Sequence, residues 1–248
     1  LRGTPAAARM LARLSRKPQG VDRAGPLRVT AARNYKAIVI LLEFPPDPGI
    51  PGDPGMRADT LAHPPSAYDS LLFSVGTHPT GSMRDYYQEI SRGAFDIDGV
   101  VTRWYMAPHH YAYYVAGQSG FGAPPNNAQR MAWDAVELAD QDLDISLFDN
   151  DGLDGIPNSG DDDGVVDAIF VVHAGPGAEE TASPDDIVSH KWDVPGVYVS
   201  TDGGSMQVDA YTTEPEKWAG IATRTSPNEL MSVGVFCHEF GHILGLPD

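Results

Sequence analysis

Residues 234–248 read GVFCHEFGHILGLPD, and the fold turns on how this stretch is read. His238 and His242 stand four apart with Glu239 between them. On an α-helix that spacing is one turn plus about 40°, roughly 6 Å along the axis, so both rings leave from one face. Leu230, Val233, Phe236, Cys237, Phe240 and Leu244 can form the other, buried side, so the helix must lie on a core. Its punctuation predicts a start at a Ser226 cap, with Pro227 in the first turn and Glu229 completing a capping box. Gly245 supplies a left-handed stop and Pro247 prevents continuation.

Two imidazoles on one helix face can bind a single zinc ion at about 2.0–2.1 Å. Glu239 then lies beside the ion, where it can take a proton from a water whose pKa the metal lowers to about 7. Past the Gly245 turn, Asp248 can reach back as a third, oxygen ligand. A fourth position left to water makes such a site catalytic, not structural. Cys237 adjoins His238 but points elsewhere and reads as a small buried hydrophobe. As the only cysteine it also rules out an intrachain disulfide.

Working outward, KAIVILLEF (36–44) and VVDAIFVVHAG (165–175) are apolar runs that read as buried strands. Between them HPTGSMRDYYQEISRG (78–93) reads as a short helix ending at Gly93, with Tyr86, Tyr87 and Ile90 toward the core. AFDIDGVVTRWYMAP (94–108) reads as one or two strands around Asp98-Gly99. NNAQRMAWDAVELADQDLDI (126–145) has Met131, Ala135 and Leu138 at helical spacing. GVYVSTDGGSMQVDAYTTE (196–214) reads as a hairpin turning at Asp202-Gly203-Gly204, with GSMQVDAYTTE as an edge strand able to pair with an extended substrate backbone. Strands and helices mix in an α/β (α+β) order, and the Pro- and Gly-rich stretch 45–65 is a surface loop.

Charge is divided unevenly. Residues 1–36 carry nine Lys/Arg against one acidic residue, Asp22, while the rest carries eight against thirty-three. The acidic body repels nucleic-acid phosphates and anionic membranes but suits divalent cations, so no nucleic-acid partner is expected. The basic head (1–34) reads as a leader, pro-segment or linker. A first residue that is Leu, with no apolar signal core after it, reads as a chain whose true N-terminus lies elsewhere. No apolar run is long enough for a transmembrane helix.

DNDGLDGIPNSGDDDGVVD (149–167) holds seven Asp in nineteen residues with no basic residue among them. Carboxylates so crowded repel one another unless cations sit between them, and hard oxygen ligands favour Ca²⁺. Asp161, Asp163 and Asp167 are spaced around a glycine much as in calcium loops, and Asp149, Asp151 and Asp154 repeat the spacing. The EF-hand pattern itself is not met, because no Glu ends it. His173 and His190 could orient a zinc ligand or bind substrate, and His109-His110 stands in a Tyr-rich loop.

GVFCHEFGHILGLPD resembles the active-site helix of the immune inhibitor A family of secreted bacterial zinc metallopeptidases. ILLEFPP, GSMRDYYQEISRGAFDIDG, FDNDGLDGIPNSGDDDGVVDAIFVVHAG, SHKW and DAYTTEPE agree in order, so the resemblance covers about residues 35–248. It implies a metzincin-like upper catalytic subdomain, a twisted mixed sheet with two long helices, the last carrying the zinc motif. It also implies His238 and His242 as zinc ligands, Glu239 as general base, Asp248 matching the final Asp of the family motif, and stabilisation by Ca²⁺. Family members continue past this Asp into a lower subdomain with a methionine turn, so the chain reads as truncated there. The expected activity is secreted, zinc-dependent cleavage of internal peptide bonds in proteins by a monomer. A calcium-dependent secreted binding or adhesion module with a vestigial zinc helix, and a non-proteolytic zinc hydrolase, remain as alternatives.

Overall fold

The computed structural model describes residues 33–219 and 229–247. Residues 1–32 of the expected basic leader (1–34), the Ser226-Pro227 helix start and Asp248 therefore lie outside the described residues, while Arg33 and Asn34 belong to the first strand. The chain begins with strand β1 (Arg33–Glu43), followed by helices α1 (Pro65–Phe73) and α2 (Met83–Ile90) and strand β2 (Phe95–Met106). Helices α3 (Tyr111–Val115) and α4 (Ala128–Ala139) lead into β3 (Ala168–His173). A short helix α5 (Ala178–Thr181), strands β4 (His190–Val199) and β5 (Gln207–Pro215), and helix α6 (Val233–Ile243) complete it.

The five strands form one mixed sheet in the order β2-β1-β3-β5-β4. β1 runs parallel to β2 and β3, β3 runs parallel to β5, and β4 is antiparallel to β5. Continuous apolar runs make central strands because both faces are covered. Ala37 through Leu42 are fully buried. Ile38, Ile40 and Leu42 meet α4 through Met131, Ala132 and Ala135 on one face. Ala37, Val39 and Leu41 meet α1, α2 and α6 on the other. The mixed α/β class and both expected long helices are present.

Four local expectations change. Asp98-Gly99 does not turn the chain: both lie inside β2, paired with Lys36 and Ala37. A Cβ on Gly99 would run into the Ala37 carbonyl and the Phe73 ring, so the glycine serves close strand approach. β5 is interior, between β3 and β4, so GSMQVDAYTTE is not an edge; β4 holds that position. In α2 only Tyr87 of the three expected core residues is buried, while Tyr86 and Ile90 are 47% and 54% exposed. Finally, α6 begins at Val233 with Ser232 at its N-cap, later than the capping-box pattern predicts. Residues 229–231 are instead held extended against 216–218: Trp218 N donates to Glu229 O at 3.0 Å and Met231 N to Glu216 O at 3.0 Å. Glu229 thus spends its backbone on sheet-like pairing and cannot belong to the first turn.

Candidate metal centre

An aromatic lock sets the rotation of α6. Phe236 and Phe240, four apart, are fully buried. Phe240 meets Tyr87 edge-on with centroids 5.1 Å apart and Phe170 at 5.7 Å, and Phe236 reaches Phe170 at 6.3 Å. The Tyr87 hydroxyl donates to Cys237 O at 2.6 Å, tying α2 to α6. With that face fixed inward, residues two positions further on point away from the core. Those residues are His238 and His242.

Their rings stand nearly perpendicular, 85° apart with centroids at 4.8 Å, and the two Nε2 atoms approach to 3.3 Å. Two nitrogens bound to one zinc at about 2.0–2.1 Å and near the tetrahedral angle are about 3.3–3.4 Å apart. The spacing of the pair therefore matches that of two ligands of one zinc ion. His242 Nδ1 lies 2.9 Å from Leu246 O. A carbonyl only accepts, so Nδ1 carries the proton and Nε2 presents its lone pair. Leu246 reaches that position because Gly245 adopts φ +83° and Leu246 N donates to Gly241 O at 2.9 Å. Pro247 follows against the same cavity as the two histidines.

Glu239 is 6% exposed. His238 forms a wall common to two cavities. One, about 520 Å³, lies between α2 and α6 and is bordered by Asp85, Tyr86, Ile90, Cys237 and His242. The other, about 370 Å³, lies between α6 and the β3–β4 connection, with Glu239, Glu179, Val188, Ser189 and Val235. Burial pushes the Cys237 thiol up to about 12, so it stays protonated and is a poor ligand.

Sequence reasoning missed Glu214. It is fully buried on β5, and among the described residues neither carboxylate oxygen has a hydrogen-bond partner. Burial raises its carboxyl well above the ordinary value, and the charges of Glu239 and Glu179 add to it. Nothing in the polar-rich strand QVDAYTTEP (207–215) singles it out, so its burial is visible only in the fold.

The remaining histidines stand elsewhere. His173 and His190 belong to the sheet face opposite α6: His173 packs on Tyr111, and His190 bonds Val188 O at 2.8 Å and the Tyr211 hydroxyl at 3.0 Å. Burial lowers both to about 4, so they are neutral near pH 7. His109 stacks on Tyr113 with centroids 4.0 Å apart, and His110 lies 3.4 Å from Asp47. His63, not singled out by the sequence, forms a buried pair with Glu216 at 2.8 Å.

The acidic loop divides in two. Asp149, Asp151 and Asp167 bring one carboxylate oxygen each within 4.8 Å of one another. Asp149 is fully buried and its Oδ1 has no partner. Burial raises Asp167 to about 8 and Asp149 to about 6; backbone N–H groups pull both down, while neighbouring aspartates push them up. Oxygens so placed suit a hard cation. Asp154, Asp161 and Asp163 are not brought into this group. Asp161 accepts from Leu153 N at 2.6 Å, Asp154 from Ile156 N at 2.8 Å and Asp163 from Val165 N at 2.9 Å, so they shape the turn.

The family profile described as "Immune inhibitor A peptidase M6, catalytic domain" matches residues 26–248. Immune inhibitor A of Bacillus thuringiensis subsp. alesti is 36% identical over 187 residues, covering 67% of this chain and 25% of that protein. Pre-pro-metalloprotease PrtV of Vibrio cholerae serotype O1 is 31% identical over 242 residues, covering 90% of this chain and 26% of that protein. The chain thus spans about a quarter of the length of the curated relatives it matches.

Proposed function

We propose, from the premise that this chain belongs to the immune inhibitor A peptidase M6 family, that it hydrolyses internal peptide bonds of proteins as a secreted, monomeric zinc metalloendopeptidase. The observation that carries this reading is the 3.3 Å approach of His238 and His242 Nε2, with the His242 proton held on the far nitrogen by Leu246 O. His238 and His242 would hold the zinc, and Asp248 is proposed as the third ligand. When bound, the metal supplies a Lewis acid that polarises the scissile carbonyl and acidifies water. Glu239, held at the wall of the 370 Å³ cavity, takes a proton from the attacking water at its carboxylate and returns it to the leaving amine. The Leu246 carbonyl keeps the His242 ring oriented throughout.

Calcium completes the proposal. Asp149, Asp151 and Asp167 would hold it, and the unpartnered Asp149 Oδ1 supports that assignment. Its role is stability, because a ligand that binds only the folded chain stabilises it. Metal analysis by mass spectrometry tests the centre: one zinc per chain is expected, lost in His238→Ala. Glu239→Ala should keep the zinc while cleavage of a casein-like substrate falls about 10²–10⁴-fold. Cleavage that survives this substitution would overturn the mechanism. Zinc binding with hydrolysis of small amides or esters but no protein would favour the non-proteolytic hydrolase.

A further inference from the structure

The cavity of about 370 Å³ beside Glu239 has a composition that the hydrolytic step alone does not explain. Among the described residues its walls include two carboxylates, Glu179 and Glu239, and no Lys or Arg. Val188 and Val235 supply aliphatic surface, and Gly234 keeps the first turn of α6 free of bulk. Glu214 is buried nearby, unpartnered, and near enough to Glu179 and Glu239 for their charges to act on it. These three carboxylates do not form a metal cage. Among the described residues the only compact group of that kind is Asp149, Asp151 and Asp167.

Glu179 is also aimed. Its carboxylate accepts from Ser189 N at 3.2 Å and Ser189 Oγ at 2.7 Å, and folds back over Gly177, where any side chain would collide with it. The side chain keeps contact with solvent, yet the surrounding atoms desolvate it enough to raise its carboxyl above the ordinary range. A fixed acceptor beside the aliphatic surface of Val188 and Val235 matches a long side chain with an apolar stem and a cationic tip.

We propose that this cavity is a specificity subsite: it takes an arginine or lysine of the substrate next to the scissile bond, and Glu179 is the residue that selects it. The subsite rests on the peptidase reading above. A cationic side chain is attracted to the Glu179 carboxylate there. The neutral isostere meets the same volume without that attraction, so discrimination comes from charge rather than fit.

The test uses peptide pairs that carry arginine or its neutral isostere citrulline at each position flanking one cleavable bond. At one position the zinc-loaded protein should show a kcat/KM about tenfold higher for arginine. Glu179→Gln should bring that ratio to about one. Glu179→Asp, which keeps the charge, should retain part of the preference. The same pairs with a reduced, uncleavable bond, measured by fluorescence anisotropy, report the subsite independently of turnover. Cleavage with equal ratios at every position, or a preference untouched in Glu179→Gln, overturns the subsite and leaves the peptidase reading standing. Discrimination in binding without hydrolysis supports the subsite and overturns the peptidase reading instead.

Discussion

Gly245→Ala perturbs the metal centre without touching a ligand. Gly245 holds φ +83°, which lets Leu246 O reach His242 Nδ1 at 2.9 Å. An alanine pays about 1–2 kcal/mol to adopt that left-handed conformation. If the turn is kept, the cost falls on folding, and in a chain of this size it lowers the melting temperature by about 2–8 °C. If the turn opens, His242 loses a hydrogen bond with a net value of about 1 kcal/mol and its tautomer is no longer set. Loss of such an orienting partner weakens metal binding by about 10–100-fold. Zinc competition against a chromophoric chelator, with thermal unfolding in parallel, separates the two routes. The expected result is about tenfold weaker zinc binding in Gly245→Ala. Gly245→Asn, which tolerates the left-handed region better, should stay within about threefold of the parent. Unchanged zinc affinity together with an unchanged melting temperature in Gly245→Ala would refute the tautomer argument.

The other predictions concern stability. Calcium at about one hundred times its Kd should add about 2.7 kcal/mol, or about 5–11 °C, and Asp149→Ala should abolish that gain while the Asp161→Ala chain keeps it. His173 and His190 are held neutral, with folded pKa values near 4 against an ordinary 6.5. Their contribution is therefore complete above pH 6.5 and lost as pH falls toward 4, on the order of 3 kcal/mol each at most. His190→Phe removes one of them, so its urea-unfolding stability should fall less between pH 7 and pH 4.5 than the parent's; parallel curves would contradict this. Gly99→Ala forces a methyl against the Ala37 carbonyl and Phe73, and urea unfolding should show a loss of about 1–3 kcal/mol with zinc stoichiometry intact.

What could be read from the residues alone follows the range of the interactions involved. The His238–Glu239–His242 arrangement is legible because helix geometry fixes neighbours four apart, whatever surrounds them. β1 and β3 are legible because continuous apolar runs of that length suit strands covered on both faces. Asp98-Gly99 looks like a turn locally, and only its pairing with β1 reveals a strand interior. The Ser226–Glu229 pattern is a valid cap that tertiary pairing of 229–231 overrides. Loop spacing alone groups Asp161 with Asp163 and Asp167. The fold instead sets Asp167, at the head of β3, beside Asp149 and Asp151. Glu179 and Glu214 lie on separate elements and acquire meaning only when the sheet brings them to α6.

The central place of β1 also orders assembly in time. Lys36 N donates to the Asp167 carboxylate, 131 residues further along, and Tyr35 beside it touches the ring of Phe240 in the last described helix. Contacts between such distant parts form late and slowly, since each must first close a long loop. During synthesis the imidazole pair therefore has no firm backing until residues on both sides of the acidic loop have paired and α6 has docked. The imidazole pair is thus set in place only after β1, β3 and α6 have come together, an order imposed by topology.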